Sequence, residues 1–483
     1  MNVPAIAAKS LKVLGYTALG ACIAILAAGI WLLESRPDLD VWHTARLDEE
    51  FTADSDVKSF AEYLALEDRL FAQLDELVYD RVPTEARRLA MRYRRGSPAD
   101  PVEWPRNWNR SYELQQPAAR AGVLLLHGMS DSPYSLRSIG GALHERGATV
   151  VSLRLPGHGT APSGLVRIAP EDLIAAVRIG VEHTRQLAGN APVYIVGYSA
   201  GGALAVDYAL SAIENDELLQ VDGIVLVSPA IGVTSAAMLA RWQRRAGWIL
   251  GLQKLAWNSL ELEYDPFKYG SFAVNAADVV YQLTFRIRGA LDRHARDGEL
   301  ERLPPILAFL SIVDATVSTP ALIDRLMARL PARRDELVVF DIDRSENIER
   351  LLVGDPTADI KTAMGVGNLP FSISVITNRH ASTDEVIVRH QPANSVARTD
   401  TPLNVAWPPD IVSLSHNALP FPPSDEIYGA LPPADPDRLY LGNLSFRGER
   451  NLLAIPASAQ LRLRWNPFYD YLERRTIEFM RLE

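Results

Sequence analysis

Apolar and polar positions along this chain fall into three regimes. Val13 to Leu33 is a run of 21 residues without a charge, with Lys9 and Lys12 before it and Glu34, Arg36, Asp38 and Asp40 after it. At a rise of about 1.5 Å per residue, a helix of that length crosses a hydrocarbon core of about 30 Å. From Val57 to Tyr79 the apolar residues Phe60, Leu64, Leu70, Phe71, Leu74, Leu77 and Val78 recur at helical spacing. That pattern predicts an amphipathic helix packed on the body. From Ala121 onward, short continuous apolar runs alternate with helical ones. The runs Gly122–His127, Ala148–Leu153, Val193–Val196, Val221–Ser228, Ile306–Ile312 and Glu336–Phe340 read as strands. Strands that are apolar on both faces, separated by helices, predict an α/β class built on a mostly parallel sheet with helices on both faces.

These regimes divide the chain into an N-terminal membrane anchor (1–36), a helical connecting region (37–117) and a main domain (118–483). The two lysines place the N-terminus in the cytoplasm and the body on the non-cytoplasmic, periplasmic side, as a single-pass protein. A cleaved signal peptide competes with this reading, but its apolar core is usually shorter. Leu19-Gly-Ala-Cys22 also has the look of a lipoprotein cleavage box, yet Ile23 to Leu33 continues apolar beyond it. Composition narrows the partners. Hydrophobic residues make up 48% of the 483, and the net charge of -10 with no basic stripe argues against a nucleic-acid partner. Cys22 is the only cysteine, so the body holds no disulfide and no zinc-type cluster.

The candidate chemistry lies beyond the carboxyl ends of the predicted strands, where parallel sheets bind their ligands. Gly197-Tyr-Ser199-Ala-Gly201 stands between a strand and a helix, a turn that lifts a serine hydroxyl off the sheet and makes Ser199 the candidate nucleophile. His127-Gly-Met-Ser-Asp-Ser-Pro133 and Pro156-Gly-His-Gly-Thr160 follow two other strands. Asp314 falls just past Ile306–Ile312, where a carboxylate can orient a histidine, with Asp341 or Asp343 as the fallback.

With these motifs the chain resembles the α/β-hydrolase family, in its monoacylglycerol lipase, carboxylesterase and serine-aminopeptidase-like branch. The resemblance implies a Ser–acid–His triad and an oxyanion hole formed by two backbone amides, which by position are those of Met129 and Ala200. His127 and His158 then shape loops. It also implies a lid after the Val221–Ser228 strand, about 229–303, where Trp242, Trp248, Leu250, Leu252, Leu255 and Trp257 lie on helical patterns. The chain departs from the family where the histidine belongs, because Asp341 to Asn347 contains none. His380 and His390 sit in alternating segments typical of an added hairpin. His416 sits on a loop stiffened by Pro420, Pro422 and Pro423, and is the preferred base. The sheet is expected to end near Phe340, with a β-rich insertion over about 343–410.

The sequence therefore points to a membrane-anchored serine hydrolase cleaving carboxylic esters, with small-molecule or lipid-like acyl substrates and no metal or cofactor. Two readings compete with it. An aminopeptidase or amidase of the same fold would need an amine-reading acid, for which Glu261, Glu263 and Asp265 are available. A non-catalytic, membrane-tethered binding protein would keep only the fold.

Overall fold

The computed structural model describes residues 34–83, 90–232, 252–314, 316–344, 354–409, 411–442 and 463–483, together with 352 and scattered positions between 14 and 31. Eight of the 21 residues of Val13–Leu33 lie outside them. Among the described residues no helix is long and apolar enough to cross a membrane.

In chain order the strands are β1 (Tyr112–Leu114), β2 (Ala121–Leu126), β3 (Ala148–Leu153), β4 (Val193–Tyr198) and β5 (Gly223–Val227). A small ribbon, β6 (Trp257–Ser259) with β7 (Phe272–Ala273), precedes β8 (Ile306–Ser311) and β9 (Glu336–Phe340). The last three are β10 (Ser372–Asn378), β11 (Glu385–Gln391) and β12 (Thr399–Ala406). Apart from the ribbon they form one sheet in the order β1-β3-β2-β4-β5-β8-β9-β10-β11-β12. The strands from β3 through β10 run parallel, while β1 and the β11–β12 edge are antiparallel. Register aligns Leu126 with Gly197, Tyr198 with Val227, and Val227 with Phe309. The residues that follow these strands therefore emerge along one edge of the sheet.

The continuous apolar runs fill two cores, one on each face. Leu124, Ile195, Leu226, Ala308 and Val339 point into one, and Val123, Val196, Val225, Phe309 and Val338 into the other. The first is covered by α3 (Pro170–Ala188), α4 (Ala200–Glu214) and α5 (Val274–Asp297), the second by α2 (Arg137–Glu145) and α6 (Tyr469–Met480). α5 joins the main core through Val279, Leu283, Ile287 and Leu291, and Arg286 Nε reaches Asp207 Oδ1 on α4 at 2.6 Å. Helix-on-strand alternation, expected to be interrupted across 229–303, thus resumes at Val274. Residues 233–251, which include Trp242, Trp248 and Leu250, are outside the described residues.

One expectation is overturned. The sheet does not end at Phe340, because β10 continues it in parallel with β9, pairing Ile376 with Phe340. Ile373, Ile376, Val386 and Ile387 are buried there, so this β-rich segment extends the core.

The connecting region is also built into the body. α1 (Phe60–Leu77) starts at Ser59, whose hydroxyl accepts from the Glu62 amide while Glu62 Oε2 accepts from the Ser59 amide. Phe51, Phe60, Tyr63 and Leu66 enter the main core. Arg154, fully buried at the end of β3, is gripped by Glu67 at 3.0 Å and Glu50 at 2.9 Å. Glu50 also accepts from the Gly157 amide, Arg92 donates to the Gly159 carbonyl and Tyr93 to that of Thr160. The connecting region therefore holds the Pro156–Thr160 loop in shape. Removing the cation leaves two carboxylates without their partner, so Arg154→Ala should lower stability by about 3–5 kcal/mol. Urea unfolding checks this, and a loss under about 1 kcal/mol would mean that the cluster is no more than a surface pair.

Candidate active site

Ser199 is the first residue after β4 and the last before α4. Its φ of 53° and ψ of -115° are costly for a residue with a Cβ. Neighbouring strands hold it there. Its amide donates to the Val227 carbonyl at 3.0 Å, and its own carbonyl accepts from Ala230 at 3.0 Å. Gly201 must be glycine, since a Cβ there would come 2.1 Å from the Leu126 carbonyl oxygen. Ser130 and Ser228, after β2 and β5, share the positive φ at 65° and 43°. Strained backbone thus concentrates at one end of the sheet.

Two amides lie near this turn, one following Ser199 and the other following Gly128, which packs against it. Ala200 opens α4, so its N–H is one of the four that a helix leaves unpaired. Met129 lies on the loop after β2. Both residues are buried, and neither amide finds an acceptor among the described residues. Uncommitted amides beside a serine hydroxyl can receive a developing oxyanion.

Asp314 and His416, 102 positions apart, are brought together by His416 Nδ1 donating to Asp314 Oδ2 at 2.8 Å. With Nδ1 carrying that proton, Nε2 is left unprotonated and able to accept one. Burial alone would raise the Asp314 carboxyl; the His416 hydrogen bond and charge, with the Val317 and Thr316 amides, hold it below the usual carboxylate range. The His416 ring lies against Tyr198, the residue before Ser199, with centroids 5.2 Å apart, and the Tyr198 hydroxyl donates to the His416 carbonyl at 3.3 Å. The Ser199 hydroxyl itself has no hydrogen-bond partner among the described residues, so this conformation leaves the serine–histidine link open. Such contacts are often looser without substrate.

The path to His416 explains its distance in sequence. After β12 the chain returns along the sheet edge, and the Asp343 amide donates to the Val412 carbonyl at 2.8 Å. The histidine loop therefore runs beside the end of β9, the place from which a histidine following that strand would come.

The other candidates are occupied elsewhere. His380 is exposed at the β10–β11 turn, and His390 Nδ1 meets Ser374 Oγ at 2.9 Å across two strands. Asp341 is held by Arg344 at 2.7 and 2.8 Å, and Asp343 accepts from Asn378 at 3.1 Å. His127 accepts from the Leu155 amide at Nε2 and donates from Nδ1 to its neighbour's carbonyl, and burial drives its basicity well down. His158 donates to the Pro156 carbonyl, and burial pushes it down to about 4. Both rings shape loops.

A cavity of about 190 Å³ is lined by Glu261, Asp265, Lys268, Phe421, Arg464 and Asn417, the residue after His416, among others; Ser199, Asp314 and His416 do not line it. Glu263 does not line it. Its carboxyl accepts from the Gly270 and Ser271 amides at 2.9 Å, and burial pushes it up to about 7. Asp265 accepts from the Tyr428 hydroxyl at 2.6 Å. Sequence reasoning passed over Asp131, although it sits inside the His127–Pro133 motif; its ion pair with Lys268, 137 positions on, leaves no local signal.

With this geometry in place, comparison with known proteins is informative. Residues 117–330 match the family described as Hydrolase_4, serine aminopeptidase, S33. The chain is 31% identical over 116 residues to a thermostable monoacylglycerol lipase from Bacillus sp. (strain H-257), covering 24% of this chain and 43% of the relative. It is 36% identical over 84 residues to a carboxylesterase from Bacillus subtilis (strain 168), covering 17% and 34%. A solved soluble variant of monoglyceride lipase from Saccharomyces cerevisiae, in complex with a substrate analog, aligns at 15% identity and a TM-score of 0.38, over 48% of this chain and 82% of that one. The chain thus spans less than half the length of the curated relatives it matches. The matched residues are thus similar to α/β-hydrolases of the lipase and esterase branch. His416 lies beyond them.

Proposed function

We propose that this protein is a serine hydrolase that cleaves carboxylic esters, with Ser199 as nucleophile, His416 as base and Asp314 as the acid that orients it. The observation that carries the reading is the 2.8 Å bond from His416 Nδ1 to Asp314, which leaves Nε2 free at the sheet edge that bears the strained Ser199 turn. In the proposed reaction Ser199 Oγ adds to the ester carbonyl carbon while its proton passes to His416 Nε2. The Met129 and Ala200 amides receive the oxyanion. As the intermediate collapses, the carbon–oxygen bond to the alcohol breaks and His416 returns the proton to that oxygen. A water molecule, deprotonated by the same Nε2, then adds to the acyl-enzyme and releases the acid and Ser199.

Lipid-like acyl groups are the proposed substrates. In favour stand a monoacylglycerol lipase and a carboxylesterase among the relatives, and the apolar Val13–Leu33 run as a membrane anchor. Arg36, just past that run, donates to the Trp257 carbonyl at 2.7 Å, and Lys254 reaches Asp38 at 2.8 Å. Residues 254–257 are therefore stitched to the segment that follows the proposed anchor. Full-length protein should sediment with membranes and resist carbonate extraction, while a chain beginning at Pro37 should be soluble and active. Soluble full-length material shortened near Cys22 or Leu33 would refute the anchor.

An amine-bearing substrate is the second reading, favoured by Glu261 and Asp265 in the cavity wall. A panel of p-nitrophenyl esters of increasing acyl length, run against aminoacyl amides, separates the two. Ester turnover that improves with chain length supports the proposal; turnover of amides alone overturns it.

A further inference from the structure

Asp131 places a carboxylate where the proposed reaction develops negative charge. A Cβ added at Gly128 would lie 2.7 Å from Asp131 Oδ2 and 3.1 Å from the Ser199 Cβ, so carboxylate and nucleophile flank one glycine. In a partly buried site, two unit charges of the same sign about 6 Å apart repel enough to slow a step about 100-fold. An unneutralised Asp131 would therefore oppose the oxyanion that the Met129 and Ala200 amides receive.

Lys268 meets that carboxylate. Its ammonium lies 2.9 Å from Asp131 Oδ1 and 3.2 Å from the Asn417 side-chain oxygen, next to His416. The Asp131 side chain is 6% exposed and that of Lys268 27%, so water screens the pair less than a surface ion pair. The backbone at Lys268 and Tyr269 is held by hydrogen bonds. The Lys268 amide donates to Asp265 at 3.1 Å, and the Tyr269 amide donates to the Ser130 carbonyl at 2.9 Å. The Tyr269 hydroxyl also accepts from the Thr160 amide at 2.8 Å. Among the described residues the ammonium bonds to Asp131 and Asn417 and not to Ser199. It joins the loop after β2 to the loop of the base.

We propose that Lys268 is a positioning residue for this site, neutralising Asp131 beside the oxyanion hole and tying the oxyanion loop to the histidine loop. The proposal rests on the serine-hydrolase reading, and its test separates the two. Lys268→Met keeps the apolar stem of the side chain and removes the charge, so kcat on a p-nitrophenyl ester should fall about 30- to 100-fold with KM changed less than about 3-fold. Phosphonylation of Ser199 by a fluorophosphonate should slow in parallel. Lys268→Arg restores the charge and should recover most of the loss. The decisive variant is Asp131→Asn with Lys268→Met, which has no charge left to neutralise and should return to within about 5-fold of wild type. A lysine that acted only as a strut would leave the double variant no better than the single. That result, or a Lys268→Met enzyme within about 3-fold of wild type, overturns the proposal while the hydrolase reading stands. A wild-type protein inert to both ester and fluorophosphonate overturns both.

Discussion

Ser199→Ala is expected to lower kcat for ester hydrolysis by about 10⁴-fold or more, leaving the rate supplied by the oxyanion hole and substrate binding. The size of the effect follows from the site's construction. Neither alanine nor water can put a nucleophilic oxygen at the tip of the turn between β4 and α4. The turn itself should survive, because its φ of 53° is enforced by hydrogen bonds to Val227 and Ala230 rather than by the hydroxyl. Thermal unfolding should therefore be almost unchanged while steady-state turnover collapses. A variant that keeps a tenth of wild-type kcat would identify another nucleophile.

The second large effect belongs to the proposed base. His416→Ala should lower kcat nearly as far as Ser199→Ala, and the double variant should be little worse than either single, because the two act as one unit. Asp314→Asn should cost about 10³- to 10⁴-fold, since an amide no longer selects the imidazole tautomer with its proton on Nδ1. His380→Ala and His390→Ala should stay within a few-fold of wild type. One ring is exposed at a turn, and the other is spent on Ser374. Strong loss from His380→Ala with little from His416→Ala would reverse the assignment.

How much of this was legible in the sequence depended on whether the signal was local. The parallel strands declared themselves, because Val123 to Leu126 and Val193 to Val196 are buried on both faces and had to be apolar throughout. The Ser199 turn was legible for the same reason: its glycines are demanded by contacts within a few residues and with one neighbouring strand. Asp314 followed from its place after a buried strand. The course of the chain after Phe340 was another matter. Alternation in β11 and β12 marks strands with one wet face, but nothing local says that β10 joins β9 and carries the sheet outward. Helix α5 was hidden by its surroundings, since Val279, Leu283, Ile287 and Leu291 have ordinary helical spacing within a stretch read as lid. Least legible of all were contacts such as Arg154 with Glu67 and Lys268 with Asp131, which only the folded chain assembles.

The serine-hydrolase reading meets its most direct test in fluorophosphonate labelling of the full-length protein, followed by mass spectrometry of the modified peptide. The reagent needs an activated serine, a base and an oxyanion hole, the same three features assigned here to Ser199, His416, and the Met129 and Ala200 amides. The expected result is one adduct, on Ser199, formed rapidly by wild type and slowly by His416→Ala. An adduct on a different serine, or no adduct on protein that is folded by circular dichroism, would contradict it.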